Sequence, residues 1–217
     1  MIYVFGNSHA HFFTDSTPAR SGEGENRNEY FRSFSLGPVI AYNFFEHHYP
    51  SMINILNGLP FSSGDHVLIA VGEVDCRWHL LKQAEVQQRD VIELTHECID
   101  RFFRAHLHLK ENGYSVIGWG GHPSTKNTFG NVPEDPVYGD CLTRNRVSLA
   151  WNDYLESKCK ENNINFVSII RDLINLDGIT KMEYYWDYCH LDAKKYLPTV
   201  IDRFKEKKLI CGVPQKI

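Results

Sequence analysis

The chain has 217 residues, 42% of them hydrophobic and 23% charged, with a formal net charge of −4. A chain of this length buries a substantial core in one domain without disulfides or a structural metal, and its mildly acidic balance gives it no general attraction to nucleic acid or anionic membrane. It contains no apolar run long enough to span a bilayer, and its start, Met-Ile-Tyr-Val-Phe-Gly, lacks the basic and apolar regions of a signal peptide, so the expected compartment is the cytoplasm.

Ile2–Phe5 is a short apolar run stopped at Gly6-Asn7, the pattern of a buried strand ending in a turn. Residues 14–35, rich in Ser, Gly, Glu, Asn and Arg, read as a long surface loop. Pro38 is placed to open a helix reaching about Glu46, since proline is tolerated in a first turn. His66–Val71 is a second buried strand. Over residues 88–112 the apolar positions Val91, Leu94, Cys98, Phe102, Ala105 and Leu109 recur at helical spacing, with Asn112-Gly113 as the stop. Tyr114–Trp119 reads as a third strand and residues 120–141 as a second long loop. Residues 143–162 form a helix with Val147, Ala150, Trp151, Tyr154 and Leu155 on its apolar face, and Ile164–Ile169 is a fourth strand. Asp192–Lys207 reads as a final helix capped by Asp192. Strands alternating with helices predict an α/β fold, a three-layer α/β/α arrangement around a mostly parallel, flavodoxin-like sheet in one domain. In such sheets the chemistry gathers at the carboxyl ends of the strands.

Short segments with chemical potential follow the predicted strands: Gly6-Asn7-Ser8-His9, Gly72-Glu73-Val74-Asp75-Cys76-Arg77 and Gly118-Trp119-Gly120-Gly121-His122. A fourth, Asp187-Tyr188-Cys189-His190, precedes the last helix. A serine at a tight strand-to-helix turn exposes its hydroxyl, and its own N–H can face a developing oxyanion. A histidine within reach supplies a general base, and a carboxylate on the other ring nitrogen fixes its tautomer. Asp187 and His190 are three residues apart, so one turn can aim both at one site.

On these residues the chain resembles the SGNH or GDSL-like hydrolases. Gly6-Asn7-Ser8-His9 is similar to that family's first block, with Asn7 in place of the usual Asp, and Asp187-x-x-His190 matches the last. Ser35-Leu36-Gly37 stands for the second block and Gly72-Glu73-Val74-Asp75 for the third, where Val74 replaces the asparagine that donates to the oxyanion. Gly-Glu-Val-Asp-Cys-Arg also resembles a subgroup found near polysaccharide biosynthesis. The resemblance implies a serine hydrolase with Ser8 as nucleophile, His190 as base and Asp187 orienting it. It further implies oxyanion or substrate contacts from Gly37, Gly72, Asp75, Arg77 and His122, with Arg77 replacing the lost amide donor. It implies a carbohydrate or other small-molecule acyl ester as substrate and requires no metal or cofactor.

Other readings stay open. Asp187 and His190 can instead cap the last helix, and Asp75 with Arg77 can form a structural ion pair. His9 either lines the pocket or packs beside the nucleophile. Tyr184-Tyr185-Trp186 is either core or a sugar-stacking wall. His47-His48 and His106-x-His108 lack the spacing of a helical zinc pair. The six cysteines, Cys76, Cys98, Cys141, Cys159, Cys189 and Cys211, contain no Cys-x-x-Cys pair and read as reduced thiols. The same machinery serves an O-acyltransferase, and Val74 leaves room for a non-catalytic glycan-binding protein.

Overall fold

A computed structural model of the chain describes residues 1–15, 24–125 and 137–210. In chain order the elements are β1 (Ile2–Gly6), β2 (Gly24–Arg27), β3 (Phe31–Ser35), α1 (Phe44–His47), α2 (Tyr49–Asn57), β4 (His66–Ala70), α3 (Leu80–Gln87), α4 (Val91–Glu111), β5 (Val116–Trp119), α5 (Cys141–Glu161), β6 (Asn165–Val167), α6 (Ile170–Leu173) and α7 (Ala193–Glu206). The strands form one sheet in the order β2-β3-β1-β4-β5-β6. β1 runs parallel to both β3 and β4, β4 to β5, and β5 to β6, while β2 is antiparallel to β3 at one edge. The fold is therefore α/β, a three-layer sandwich with a mostly parallel sheet of flavodoxin-like order.

The period of two along each strand divides the core between the sheet's two faces. Tyr3, Phe5, Val67 and Ile69 point to the layer that packs Phe44, Met52, Phe102 and Trp151. Ile2, Val4, Leu68 and Ala70 point to the opposite layer, with Trp119, Val200 and Phe204. Strands buried on both faces read as unbroken apolar runs, which is why β1 and β4 are plain in the sequence. At the end of β1 a side chain on Gly6 would lie 2.3 Å from the Ala70 carbonyl oxygen, so only glycine lets β1 and β4 stay paired up to the turn that follows.

Helix ends follow their caps. Asp90 accepts the N–H groups of Ile92 and Glu93 to open α4, Asp140 that of Thr143 to open α5, and Asp192 that of Lys194 to open α7. Two expectations need correction. The segment 14–35 is not a loop throughout: residues 24–27 and 31–35 are strands, and residues 16–23 lie outside the described residues. β3 hides its strand character because Phe31, Ser33, Phe34 and Ser35 are all buried although half of them are polar. Pro38 opens no helix; α1 begins only at Phe44, and the proline in a first turn is Pro50 of α2. Of the long loop 120–141, residues 126–136 lie outside the described residues, as does Cys211. The other five cysteines are buried and form no disulfide among the described residues. Among the described residues no helix is long and apolar enough to cross a membrane.

The core holds one polar oddity. His106 on α4 is wholly buried, stacks on Phe103 at 5.3 Å, and neither ring nitrogen has a hydrogen-bond partner. Burial pushes its pKa down to about 4. The folded state thus holds this proton less tightly than the unfolded state. The resulting contribution to stability is fully present above about pH 6.5 and is lost as the pH falls toward 4, a loss of about 3 kcal/mol. His106→Leu should flatten this part of the acid limb and unfold no more easily than wild type at pH 7. Chemical denaturation at pH 7 and pH 5 checks this, and an unchanged pH slope would refute it.

Candidate active site

The turn after β1 is built by Asn7. Its Oδ1 accepts the His9 N–H at 3.1 Å, capping a 3-10 turn over Ser8–Thr14, while its Nδ2 donates to the Val39 carbonyl at 3.2 Å. An aspartate could make only the first of these bonds. Ser8 is the first residue of the turn, a position whose N–H has no partner in the turn's own ladder. Its Oγ lies 2.8 Å from His190 Nε2, and His190 Nδ1 lies 2.7 Å from Asp187 Oδ2. The other Asp187 oxygen accepts the N–H groups of Cys189 at 2.8 Å and His190 at 2.6 Å, so a local Asx turn sets the three-residue spacing. With the carboxylate on Nδ1 that nitrogen carries the proton, and Nε2 accepts from the serine hydroxyl. Partial burial works to raise the Asp187 pKa, but its bonds from the His190 ring and the two N–H groups prevail and hold it below the usual carboxylate range.

The segment after β5 fixes the 185–189 loop from beneath. His122 Nε2 donates to the Cys189 carbonyl at 3.0 Å, Tyr185 donates its hydroxyl to the Pro123 carbonyl at 2.6 Å, and the Thr125 hydroxyl donates to the Tyr188 carbonyl. His122 is buried and so its pKa is driven down to about 3, with nearby His9 adding to the effect. His122 therefore stands among the loop supports, edge-on to His9 with ring centres 4.5 Å apart.

Behind the serine sits a buried ionic pair. Glu73 Oε2 accepts from His9 Nε2 at 3.0 Å and Oε1 from Arg77 Nε at 2.9 Å. Burial opposes ionisation of Glu73, but Arg77 and then His9 outweigh it and hold the carboxyl far below its ordinary range. His9 is itself lowered by burial, despite the Glu73 bond, and is neutral. Its ring lies 4.8 Å from that of His190, and its Nδ1 is buried without a partner. Glu73 and Arg77 are four residues apart on the helical turn that runs into a π-helix over Asp75–His79, which puts them on one side.

Four expected contacts, Gly37, Gly72, Asp75 and Arg77, are not among the residues that line the cleft beside Ser8. Arg77 is 4% exposed and its Nε donates to Glu73 Oε1. Asp75 pairs with neither: it is wholly buried and accepts the N–H groups of Ala41 at 2.8 Å and Tyr42 at 3.4 Å, tying the 38–43 segment to the turn after β4. Burial raises its pKa to about 6, against the pull of those backbone bonds. Gly37 has φ +79° and turns its N–H toward Ser35 Oγ at 3.5 Å. Gly72, at φ +114°, is a packing position, since a Cβ there would lie 2.8 Å from the Trp151 ring.

Ser8, His9, Glu73, His122, Trp186 and His190 line a cleft of about 350 Å³ at the carboxyl ends of the strands. Trp186 is 52% exposed and stacks on His190 with ring centres 5.6 Å apart. The residues the sequence underplays are Glu73 and His9, whose partnership depends on two turns meeting in space. Among the described residues, the group with metal-ligand geometry is His9, Cys189 and His190, with ligand atoms within 4.8 Å. His190 in that group is already held between Ser8 and Asp187.

No protein-family model matches the chain, and no curated protein sequence matches it. Solved structures do. A GDSL-like lipase from Bacteroides thetaiotaomicron superposes with a TM-score of 0.59 at 15% identity, covering 95% of this chain and 88% of that one. An acetylxylan esterase from Geobacillus stearothermophilus, in a catalytic-mutant form, gives 0.57 at 15% identity over 94% and 92%. A carbohydrate acetylesterase from Sinorhizobium meliloti gives 0.55 at 14% identity over 95% and 98%. Across nearly its whole length the chain has the fold of the SGNH/GDSL-like hydrolases.

Proposed function

We propose that the protein is a serine-dependent carboxylic-ester hydrolase that removes a small acyl group from a carbohydrate or related alcohol. The observation that carries this reading is the unbroken chain of hydrogen bonds from Ser8 through His190 to Asp187 at the mouth of the cleft. Ser8 Oγ attacks the acyl carbonyl while His190 Nε2 takes its proton. His190 then delivers that proton to the leaving alcohol, and water resolves the acyl-enzyme by the same route in reverse. Asp187 holds the ring in the productive tautomer. The Ser8 N–H, at the open end of the 3-10 turn, donates to the oxyanion. Trp186, exposed beside His190, offers the leaving alcohol a flat apolar face, and the esterases of similar fold named above act on acetylated carbohydrate.

A fluorophosphonate probe should label the wild-type protein and leave Ser8→Ala unmarked. On a panel of acylated sugars and p-nitrophenyl esters, His190→Ala should lower kcat by roughly a thousandfold or more while the fold is retained. Activity within a few-fold of wild type would remove His190 from the mechanism, and a folded protein that neither labels nor turns over any ester would favour a binding protein instead.

Glu73 supports the site from outside the reaction. Glu73→Gln leaves the buried Arg77 without its counter-charge and should cost about 3 kcal/mol of stability. Urea unfolding measures this, and an unchanged midpoint would show that the pair does not hold the two turns together.

A further inference from the structure

His9, Cys189 and His190 each bring one metal-binding atom to within 4.8 Å of the others. They come from two distant parts of the chain, the turn after β1 and the 185–190 loop, and both histidines line the cleft. His9 is 8% exposed, and its Nδ1 is buried with no hydrogen-bond partner. A buried bare nitrogen is costly unless something occupies it. The other nitrogen, Nε2, is bonded to the Glu73 carboxylate at 3.0 Å. His190 repeats the pattern, with Nδ1 on the Asp187 carboxylate at 2.7 Å and Nε2 turned to Ser8 Oγ at 2.8 Å. Proteins orient metal-binding histidines in this way: a carboxylate on one nitrogen fixes the tautomer and makes the lone pair on the other more basic. Cys189 Sγ stands 3.4 Å from His190 Nδ1 and is the soft ligand of the set.

We propose that His9 Nδ1, Cys189 Sγ and His190 Nε2 form a binding site for a thiophilic divalent cation of the zinc type, and that its occupation switches the triad off. The site stands apart from the esterase reading of Ser8 and His190; the inhibition rests on it. Two imidazoles and a thiolate suit zinc or cobalt, whereas magnesium and calcium seek oxygen ligands. Zinc bonds of about 2.0 Å to nitrogen and about 2.3 Å to sulfur place ligand atoms roughly 3.5 Å apart in a tetrahedron, so a small rotation of each side chain closes the group. On binding, Cys189 loses its thiol proton to solvent and a metal–sulfur bond forms. His190 Nε2 gives its lone pair to the cation, which breaks its hydrogen bond from Ser8 and leaves that hydroxyl without a base. Water takes the fourth position.

Cobalt(II) tests the site without turnover. Titrating CoCl2 into the full chain should produce a thiolate-to-cobalt charge-transfer band that saturates at one equivalent. Cys189→Ser should abolish the band, although Cys76, Cys98, Cys141, Cys159 and Cys211 remain, and His9→Gln should weaken cobalt binding by roughly tenfold or more. In parallel, ZnCl2 should lower the rate of p-nitrophenyl acetate hydrolysis by roughly tenfold or more, with recovery on adding EDTA and no effect of MgCl2 at the same concentration. The half-inhibiting zinc concentration should rise at least roughly tenfold in Cys189→Ser. A wild-type protein without the band, or a band or zinc sensitivity unchanged in Cys189→Ser, overturns the site. Cobalt binding through Cys189 with undiminished hydrolysis overturns the switch. A protein that binds cobalt through Cys189 but hydrolyses no ester keeps the metal site and removes the hydrolase reading; an active enzyme that shows no band and ignores zinc does the reverse.

Discussion

Glu73 places an ionised carboxylate, 3% exposed, where the turns after β1 and β4 meet, and a charge there is tolerated because both of its oxygens are answered. One oxygen binds His9, the neighbour of Ser8, and the other binds Arg77, four residues further along its own segment. The carboxylate thereby joins the piece of chain that carries Ser8 to the piece that fills the next strand end. His9 in turn packs against His122, which holds the 185–189 loop, and against His190 itself. The triad stands on this buried stack, and each layer of it is neutral or paired.

That neutrality matters for the chemistry. In the proposed mechanism His190 carries a positive charge during acyl transfer, and a second cation at 4.8 Å would oppose it. Burial works against a charge on both His9 and His122, while the His190 ring bonds the Asp187 carboxylate directly. Val74 stands at the start of the π-turn over Asp75–His79. The turn that begins there is spent on anchoring: Asp75 ties down the 38–43 segment and Arg77 neutralises Glu73.

The elements legible in the sequence were those whose burial is uniform or strictly periodic. β1 and β4 are apolar runs, and α4, α5 and α7 carry a cap and a helical stripe apiece. β3 was not legible because its buried serines look like loop residues, and α2 and α3 are short and interrupt no obvious pattern. In the site, Ser8, Asp187 and His190 were marked by local motifs, since the turn chemistry that aims them lies within a few residues. Asp75 and Arg77 sit in a motif of equal appearance, yet the direction a side chain takes depends on partners elsewhere in the fold. Asp75 finds Ala41, and Arg77 finds a glutamate that belongs to His9. Spacing alone carries no record of such choices.

Ser8 and His190 are separated by 182 positions, and this has a consequence for the life of the chain before it is folded. A ribosome adding 5–20 residues per second delivers Ser8 roughly 10 to 40 seconds before His190. Through that interval the serine is an ordinary hydroxyl on a growing sheet. The Ser8–His190 hydrogen bond forms only when the last segment docks, and under the proposed mechanism the hydroxyl gains its base at that moment.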